Sequence, residues 1–199
     1  HGTVLKSEGD LVHYFDSFAK PREAIRVGIE AEFFGVDKQT GKALPYEGPK
    51  SIHTILKELV RCFHYEAIKE GGNIIALKQR ETYITLEPGG QIELSAPPVV
   101  NVFEVEEQIQ KFLDELREIR SQLPGIEWLA FGIQPFSRLE EITWVPKARY
   151  AIMAEHFKKA EYFEGLDLGI RMAGEALQKF FPFHKSDINE LPDDIIFGD

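Results

Sequence analysis

Four glutamates carry the chemistry this sequence offers: Glu30, Glu32, Glu87 and Glu93. Glu30 and Glu32 lie in residues 26–36, where Val27, Ile29, Ala31 and Phe33 alternate with Gly28, Glu30, Glu32 and Phe34. A strand repeats every two residues, so both carboxylates leave one face and the apolar side chains leave the other. Glu87, Gln91 and Glu93 also share parity, although the intervening Pro88-Gly89-Gly90 can add a bulge and shift the phase. Carboxylates gathered on one face repel one another unless a cation neutralises them. Hard oxygen donors suit Mg²⁺ or Mn²⁺, which bridge to substrate phosphates. Gly89 and Gly90 have no side chains, so the backbone there can approach a ligand closely. The competing reading is a solvated edge strand, because surface strands alternate by default. A second acidic segment flanked by apolar residues weighs against it.

Such a face needs a sheet to carry it. Ile74 to Leu77 and Thr82 to Leu86 read as a hairpin with the polar Lys78 to Glu81 at its tip. The second strand runs on through Glu87 to Ser95, and Pro97-Pro98 is expected to end it. Trp128 to Ile133 reads as another strand. Helices are expected over residues 10–20, 51–63, 101–123, 147–157 and 165–181. The clearest is 101–123, where Val102, Val105, Ile109, Phe112, Leu116 and Ile119 form one stripe. Asn101 is its N-cap, and Pro124-Gly125 stops it. On that helix Glu104, Glu106, Glu107, Asp114, Glu115 and Glu118 read as a solvated face. Strands and helices mix without a regular βαβ alternation. The expected fold is therefore α+β, a largely antiparallel sheet with packed helices, in one domain over residues 1–199.

The formal net charge of −10 and pI of about 5.2 argue against a nucleic-acid surface, which needs a basic patch. They do not argue against phosphate ligands, because divalent cations invert the local charge. Cys62 is the single cysteine, so there is no internal disulfide framework. That fits a reducing compartment, and a cytoplasmic location is expected. No apolar run approaches the length of a membrane span, and the first residues lack a signal-peptide pattern. The missing initiator Met points to a truncated or tagged chain.

Four segments resemble glutamate–cysteine ligases of the plant and proteobacterial type. They are Val27-Gly28-Ile29-Glu30-Ala31-Glu32-Phe33-Phe34-Gly35, then Glu70-Gly71-Gly72-Asn73-Ile74-Ile75-Ala76-Leu77. The most specific is Ile84-Thr85-Leu86-Glu87-Pro88-Gly89-Gly90-Gln91-Ile92-Glu93-Leu94-Ser95-Ala96-Pro97. The fourth is Trp144-Val145-Pro146-Lys147-Ala148-Arg149-Tyr150-Ala151-Ile152-Met153. Their order and spacing match the family over about residues 20–157. The resemblance implies a glutamine-synthetase-like funnel, a curved antiparallel sheet holding ATP, metal ions and glutamate. It implies ATP-dependent ligation of the glutamate γ-carboxylate to the cysteine amine through an acyl phosphate, the first step of glutathione synthesis. It makes Glu30, Glu32, Glu87 and Glu93 ligands of Mg²⁺ or Mn²⁺. Gly89 and Gly90 would lie by the nucleotide, Gln91 and Tyr150 by the substrate, and Lys147 and Arg149 would be catalytic.

One departure sets a limit. Family members are roughly twice this length, a size that means one large closed sheet or several domains. After Phe157 the expected continuation is missing, Gly165-Leu166-Asp167 is a faint echo of it, and Lys185 to Asp199 reads as a solvated loop. The chain is therefore expected to be a fragment, or pieces joined across gaps, with residues 158–199 unassigned and no ligase competence of its own. The alternatives are another carboxylate–amine ligase and, for a true 199-residue chain, a non-catalytic metal- or ligand-binding module.

Other residues read more plainly. Cys62 is expected to be a buried structural thiol. His53, His64 and His156 lack paired ligand spacing. Trp128 and Trp144 read as core or pocket-wall residues. Gly89-Gly90 is not a Walker loop, because no lysine and hydroxyl follow it.

Overall fold

The computed structural model describes residues 7–180. Among the described residues the backbone divides into two units, residues 26–170 and residues 7–25 with 171–180. The sequence reading drew a single domain over the whole chain.

In the larger unit six strands form one antiparallel sheet: β1 (Val27–Asp37), β2 (Glu66–Glu70), β3 (Asn73–Gln79), β4 (Thr82–Leu86), β5 (Ile92–Val99) and β6 (Ile126–Leu129). Their spatial order is β2-β3-β4-β5-β1-β6. Every pairing is antiparallel, so the α+β expectation holds.

Two helices cover one face of this sheet. The first, α2 (Ile52–Phe63), starts at Ser51, whose Oγ accepts the Thr54 N–H at 3.1 Å. It ends at His64 in the left-handed region. The second, α3 (Val102–Gln122), starts at Asn101, whose side-chain oxygen accepts the N–H groups of Phe103 and Glu104. Ile55, Leu56 and Leu59 of α2 and Phe112, Leu116 and Ile119 of α3 pack on Leu77, Ile84, Leu86, Ile92 and Leu94 in one buried cluster. These strand residues alternate with the polar ones, so the core occupies one face and leaves the other to Glu32 and Glu93.

The structure departs from the sequence reading at several places. Strand β2 was not expected; it is an edge strand with a register shift between Ile68 and Lys69. β3 runs to Gln79, which leaves only Arg80 and Glu81 at the hairpin tip, with Arg80 at φ 55°. β5 continues through Pro97 and Pro98 to Val99, where the register shifts against Val27 and Ile29. Proline cannot donate to a ladder, and such an irregularity is where a strand accommodates it. β6 ends at Leu129, and Ile133 is 83% exposed. Finally, Glu115 is buried, because its carboxylate accepts the Tyr65 hydroxyl at 2.8 Å.

Beyond the sheet, α4 (Ala148–Lys158) follows a loop, and α5 (Tyr162–Phe180) contributes residues to both units. The smaller unit contains α1 (Glu8–Ser17), capped by Ser7. Among the described residues no helix is long and apolar enough to cross a membrane. The expected loop over Lys185 to Asp199 lies outside the described residues.

Candidate active site on the acidic sheet face

The strand register assembles the site. Glu32 of β1 stands opposite Glu93 of β5, and Glu93 stands opposite Thr85 of β4. In the next row Glu30 stands opposite Ser95, and Ser95 opposite Tyr83. Each row therefore crosses three strands on one face, while Ala31, Leu94 and Ile84 form the row between them on the core face. The Thr85 hydroxyl donates to Glu93.

Glu87 reaches the same face by a tight hairpin. Its N–H donates to the Gln91 carbonyl at 3.0 Å, and its carbonyl accepts from the Gly90 N–H at 2.8 Å. Leu86 pairs with Ile92, so Glu87 lies opposite Gln91 and three residues make the turn. Pro88 suits the first turn position, and Gly90 takes the left-handed conformation at φ 83° that the closing position requires. The turn preserves the parity of Glu87 and Glu93. Gln91 Oε1 is buried, has no hydrogen-bond partner, and lies where a Cβ on Gly89 would meet it at 2.8 Å.

A second segment closes on this turn. The Val145 N–H donates to the Pro88 carbonyl at 3.1 Å. Lys147, 9% exposed, donates from Nζ to the Leu86 carbonyl at 2.8 Å. Helix α4 then begins, with the Arg149 guanidinium 4.6 Å from the Tyr150 ring centre and donating to the Tyr150 hydroxyl at 3.2 Å. The Ala148 N–H donates to Glu70 Oε1 on β2 at 2.7 Å.

The electrostatics follow from this packing. Burial, then the Glu93 and Glu32 carboxylates, push the Glu87 carboxyl above its ordinary range, while Lys147 and Arg149 act in the opposite direction. Burial, then Arg149, lower the Lys147 ammonium, while Glu87, Glu70 and Glu93 oppose the change. Glu87, Glu93 and Glu32 thus sit within each other's field, with two cations on the adjoining helix turn. Among the described residues, no three His, Cys, Asp or Glu side chains stand close enough to hold a metal ion as they are. That includes Glu30, Glu32, Glu87 and Glu93.

Sequence reasoning missed Glu70, whose partner is 78 residues away. It also missed Thr85, Ser95 and Tyr83, which parity with the glutamates would have flagged. A shallow cavity of about 410 Å³ lies over Gly28, Glu30 and Ser95. A larger open groove, about 1070 Å³, runs along α3 by Phe63 and Phe103 and holds none of the site residues. Cys62 is half-buried, within 3.5 Å of Gln122 Oε1. His53 pairs with Glu47 and His156 with Glu161. Trp128 is half-buried and donates to the Leu116 carbonyl at 3.0 Å, while Trp144 is 51% exposed.

Residues 26–166 match the model of glutamate–cysteine ligase family 2. Curated relatives include the chloroplastic glutamate–cysteine ligases of Brassica juncea and Arabidopsis thaliana, each 35% identical over 162 residues. The chloroplastic glutamate–cysteine ligase A of Oryza sativa subsp. japonica is 36% identical over 162 residues. These alignments cover 81% of this chain and 30 to 32% of the relatives, so the chain spans about a third of their length. The expectation of a cytoplasmic location is overturned, since these relatives are named as chloroplastic.

Proposed function

The chain belongs to glutamate–cysteine ligase family 2, and we propose that its acidic sheet face is part of the active site of an ATP-dependent ligase joining glutamate to cysteine. In this reading ATP phosphorylates the glutamate γ-carboxylate. The cysteine amine then attacks the acyl phosphate and expels phosphate.

Glu30, Glu32, Glu87 and Glu93 would hold Mg²⁺ or Mn²⁺. The donor chemistry fits: oxygen ligands only, with the Glu87 carboxyl raised by burial and then by its anionic neighbours. Mg²⁺ keeps several waters and takes one or two carboxylates together with substrate phosphates, so it does not need a closed protein cage. When bound, the ion spreads the charge of the phosphoryl group in transfer.

The chain's own residues do the rest. Lys147 ties the start of α4 to β4 through the Leu86 carbonyl and sets a buried positive charge beside the glutamates. Arg149 offers a planar fork to a carboxylate or phosphate, and the Tyr150 ring supports it. Gln91 stands opposite Glu87 across the turn and would lie by the substrate. The Pro88-Gly89-Gly90 backbone would lie by the nucleotide, with no side chain on either glycine.

The observation that carries this reading is the juxtaposition of Glu32, Glu87 and Glu93 with Lys147 and Arg149. It joins sites for a divalent cation and for anionic substrate groups. The test is ADP release by the full-length protein that contains this chain, with glutamate, cysteine, ATP and Mg²⁺ each omitted in turn. Release that requires all four supports the reading. Release that is indifferent to cysteine but needs another amine replaces the amine substrate. No release under any combination removes the ligase reading.

A further inference from the structure

We infer that Glu70 is a positioning residue of this site: it holds the first turn of α4, and with it Arg149 and Tyr150, against the acidic sheet face. The inference rests on the ligase reading above and adds a residue to which that reading gives no role.

The first turn of α4 has no cap of its own. Lys147 stands at the N-cap position, and its side chain makes no capping hydrogen bond. The first backbone donors of a helix need an acceptor, and a carboxylate there also meets the positive end of the helix dipole. Glu70 supplies that acceptor from another element, taking the Ala148 N–H at 2.7 Å across 78 residues of sequence.

Glu70 itself is held in a defined place. It is the last residue of β2 and pairs with Asn73 of β3. Only Gly71 and Gly72 separate them, at φ 55° and 89°, the geometry of a two-residue hairpin turn with both central residues left-handed. A Cβ at either glycine would meet nothing within 4 Å. Backbone conformation, rather than space, therefore calls for glycine there. The tight turn fixes the direction in which the Glu70 side chain leaves the backbone, and its carboxylate meets the start of α4.

Arg149 and Tyr150 directly follow the capped amide. A frayed first turn would release them while leaving the sheet and its glutamates in place. Small losses of position in groups that orient a substrate cost rate disproportionately. Glu70 also adds negative charge beside Lys147, which favours the charged ammonium at the base of the turn.

The test uses the full-length protein with Glu70→Ala and Glu70→Gln. Hydrogen exchange of residues 147–152 reads the cap directly, whatever the activity. ADP release with glutamate titrated at saturating ATP and cysteine reads its consequence, and thermal unfolding serves as the fold control. Glu70→Ala should speed exchange at residues 147–152 roughly tenfold. It should lower kcat/KM for glutamate on the order of tenfold, chiefly through KM. Glu70→Gln keeps an amide oxygen for the Ala148 N–H and should restore both to within roughly threefold of wild type. Unchanged exchange in Glu70→Ala overturns the inference. So does faster exchange with unchanged glutamate kinetics, or a Glu70→Gln variant as impaired as Glu70→Ala. If the wild-type protein releases no ADP with glutamate and cysteine, the ligase reading fails, and the positioning role fails with it. The exchange data still show whether Glu70 caps α4.

Discussion

Tyr65→Phe removes one oxygen atom and should reveal how the buried carboxylate under α3 is tolerated. The Tyr65 hydroxyl donates to Glu115 Oε2 at 2.8 Å, and both residues are 4% exposed. The other partner is the Lys111 ammonium, 3.7 Å from Glu115 Oε1, on a side chain that is 61% exposed and also bonded to Gln79. Solvent screens that pair, so most of the support comes from the hydroxyl. A hydrogen bond to a charged acceptor is worth about 1.5–3 kcal/mol. A cavity of about 40 Å³ adjoins Tyr65, Gln108 and Glu115 and has room for a water that takes part of the load. The expected loss is therefore about 2 kcal/mol at pH 8.

The loss should depend on pH. Burial raises the Glu115 carboxyl above its ordinary 4.5, and Tyr65 and then Lys111 oppose the rise. A carboxyl raised on folding costs stability while ionised, and the cost disappears as pH falls through the folded value. Removing the Tyr65 donor raises the folded value further. The penalty of Tyr65→Phe should thus be smaller at pH 5 than at pH 8, falling toward about 1 kcal/mol, the value for a neutral hydrogen bond, as the carboxyl protonates. The assay is urea unfolding of wild type, Tyr65→Phe, Glu115→Gln and the double variant at pH 8 and pH 5. Fluorescence of Trp128, which donates to the Leu116 carbonyl of α3, follows the transition. An equal penalty at both pH values, or no coupling between the two substitutions, would refute the reasoning.

Three further substitutions probe the site and its frame. Glu87→Gln should lower ADP release on the order of a hundredfold, as for loss of one electrostatic stabiliser. Its unfolding temperature should not fall, because burial and then two neighbouring carboxylates disfavour the charged form of Glu87; wild-type turnover in a magnesium titration would remove Glu87 from the site. Gly90→Ala should cost about 1–2 kcal/mol, because the position lies at φ 83°, and a thermal midpoint equal to wild type would contradict that. Ser51→Ala should cost about 1 kcal/mol by uncapping α2, measured by chemical unfolding.

The parts legible in the sequence are those set by short-range periodicity. The alternation through 26–36 placed Glu30 and Glu32 on one face, and Asn101 with Pro124-Gly125 bracketed α3 within a residue or two. Parity also carried across the Pro88-Gly89-Gly90 turn, because a three-residue loop leaves Glu87 opposite Gln91. What failed depends on distant partners or broken periods. β2 is polar and carries a register shift, so its alternation is lost within five residues. Glu115 was read as solvated because its partner Tyr65 is 50 residues away. Its spacing of three and four from Phe112 and Ile119 already set it on the apolar stripe. Glu70 gave no local sign, since the helix it caps lies far along the chain.

The division of labour within β1 has a consequence for how this protein tolerates change. Residues from Val27 to Phe33 pair with β5, and residues from Phe34 to Asp37 pair with β6. No residue of β1 serves both neighbours in these ladders, so the strand is two half-strands joined end to end at the peptide between Phe33 and Phe34. A single inserted residue at that joint would invert the facing of the β6 half, moving Phe34 and Val36 from their buried side, yet leave Glu30 and Glu32 in step with Ser95 and Glu93. The acidic rows and the β6 flank can therefore vary independently, and an insertion library at the joint should yield variants that lose stability while retaining the register of the acidic face.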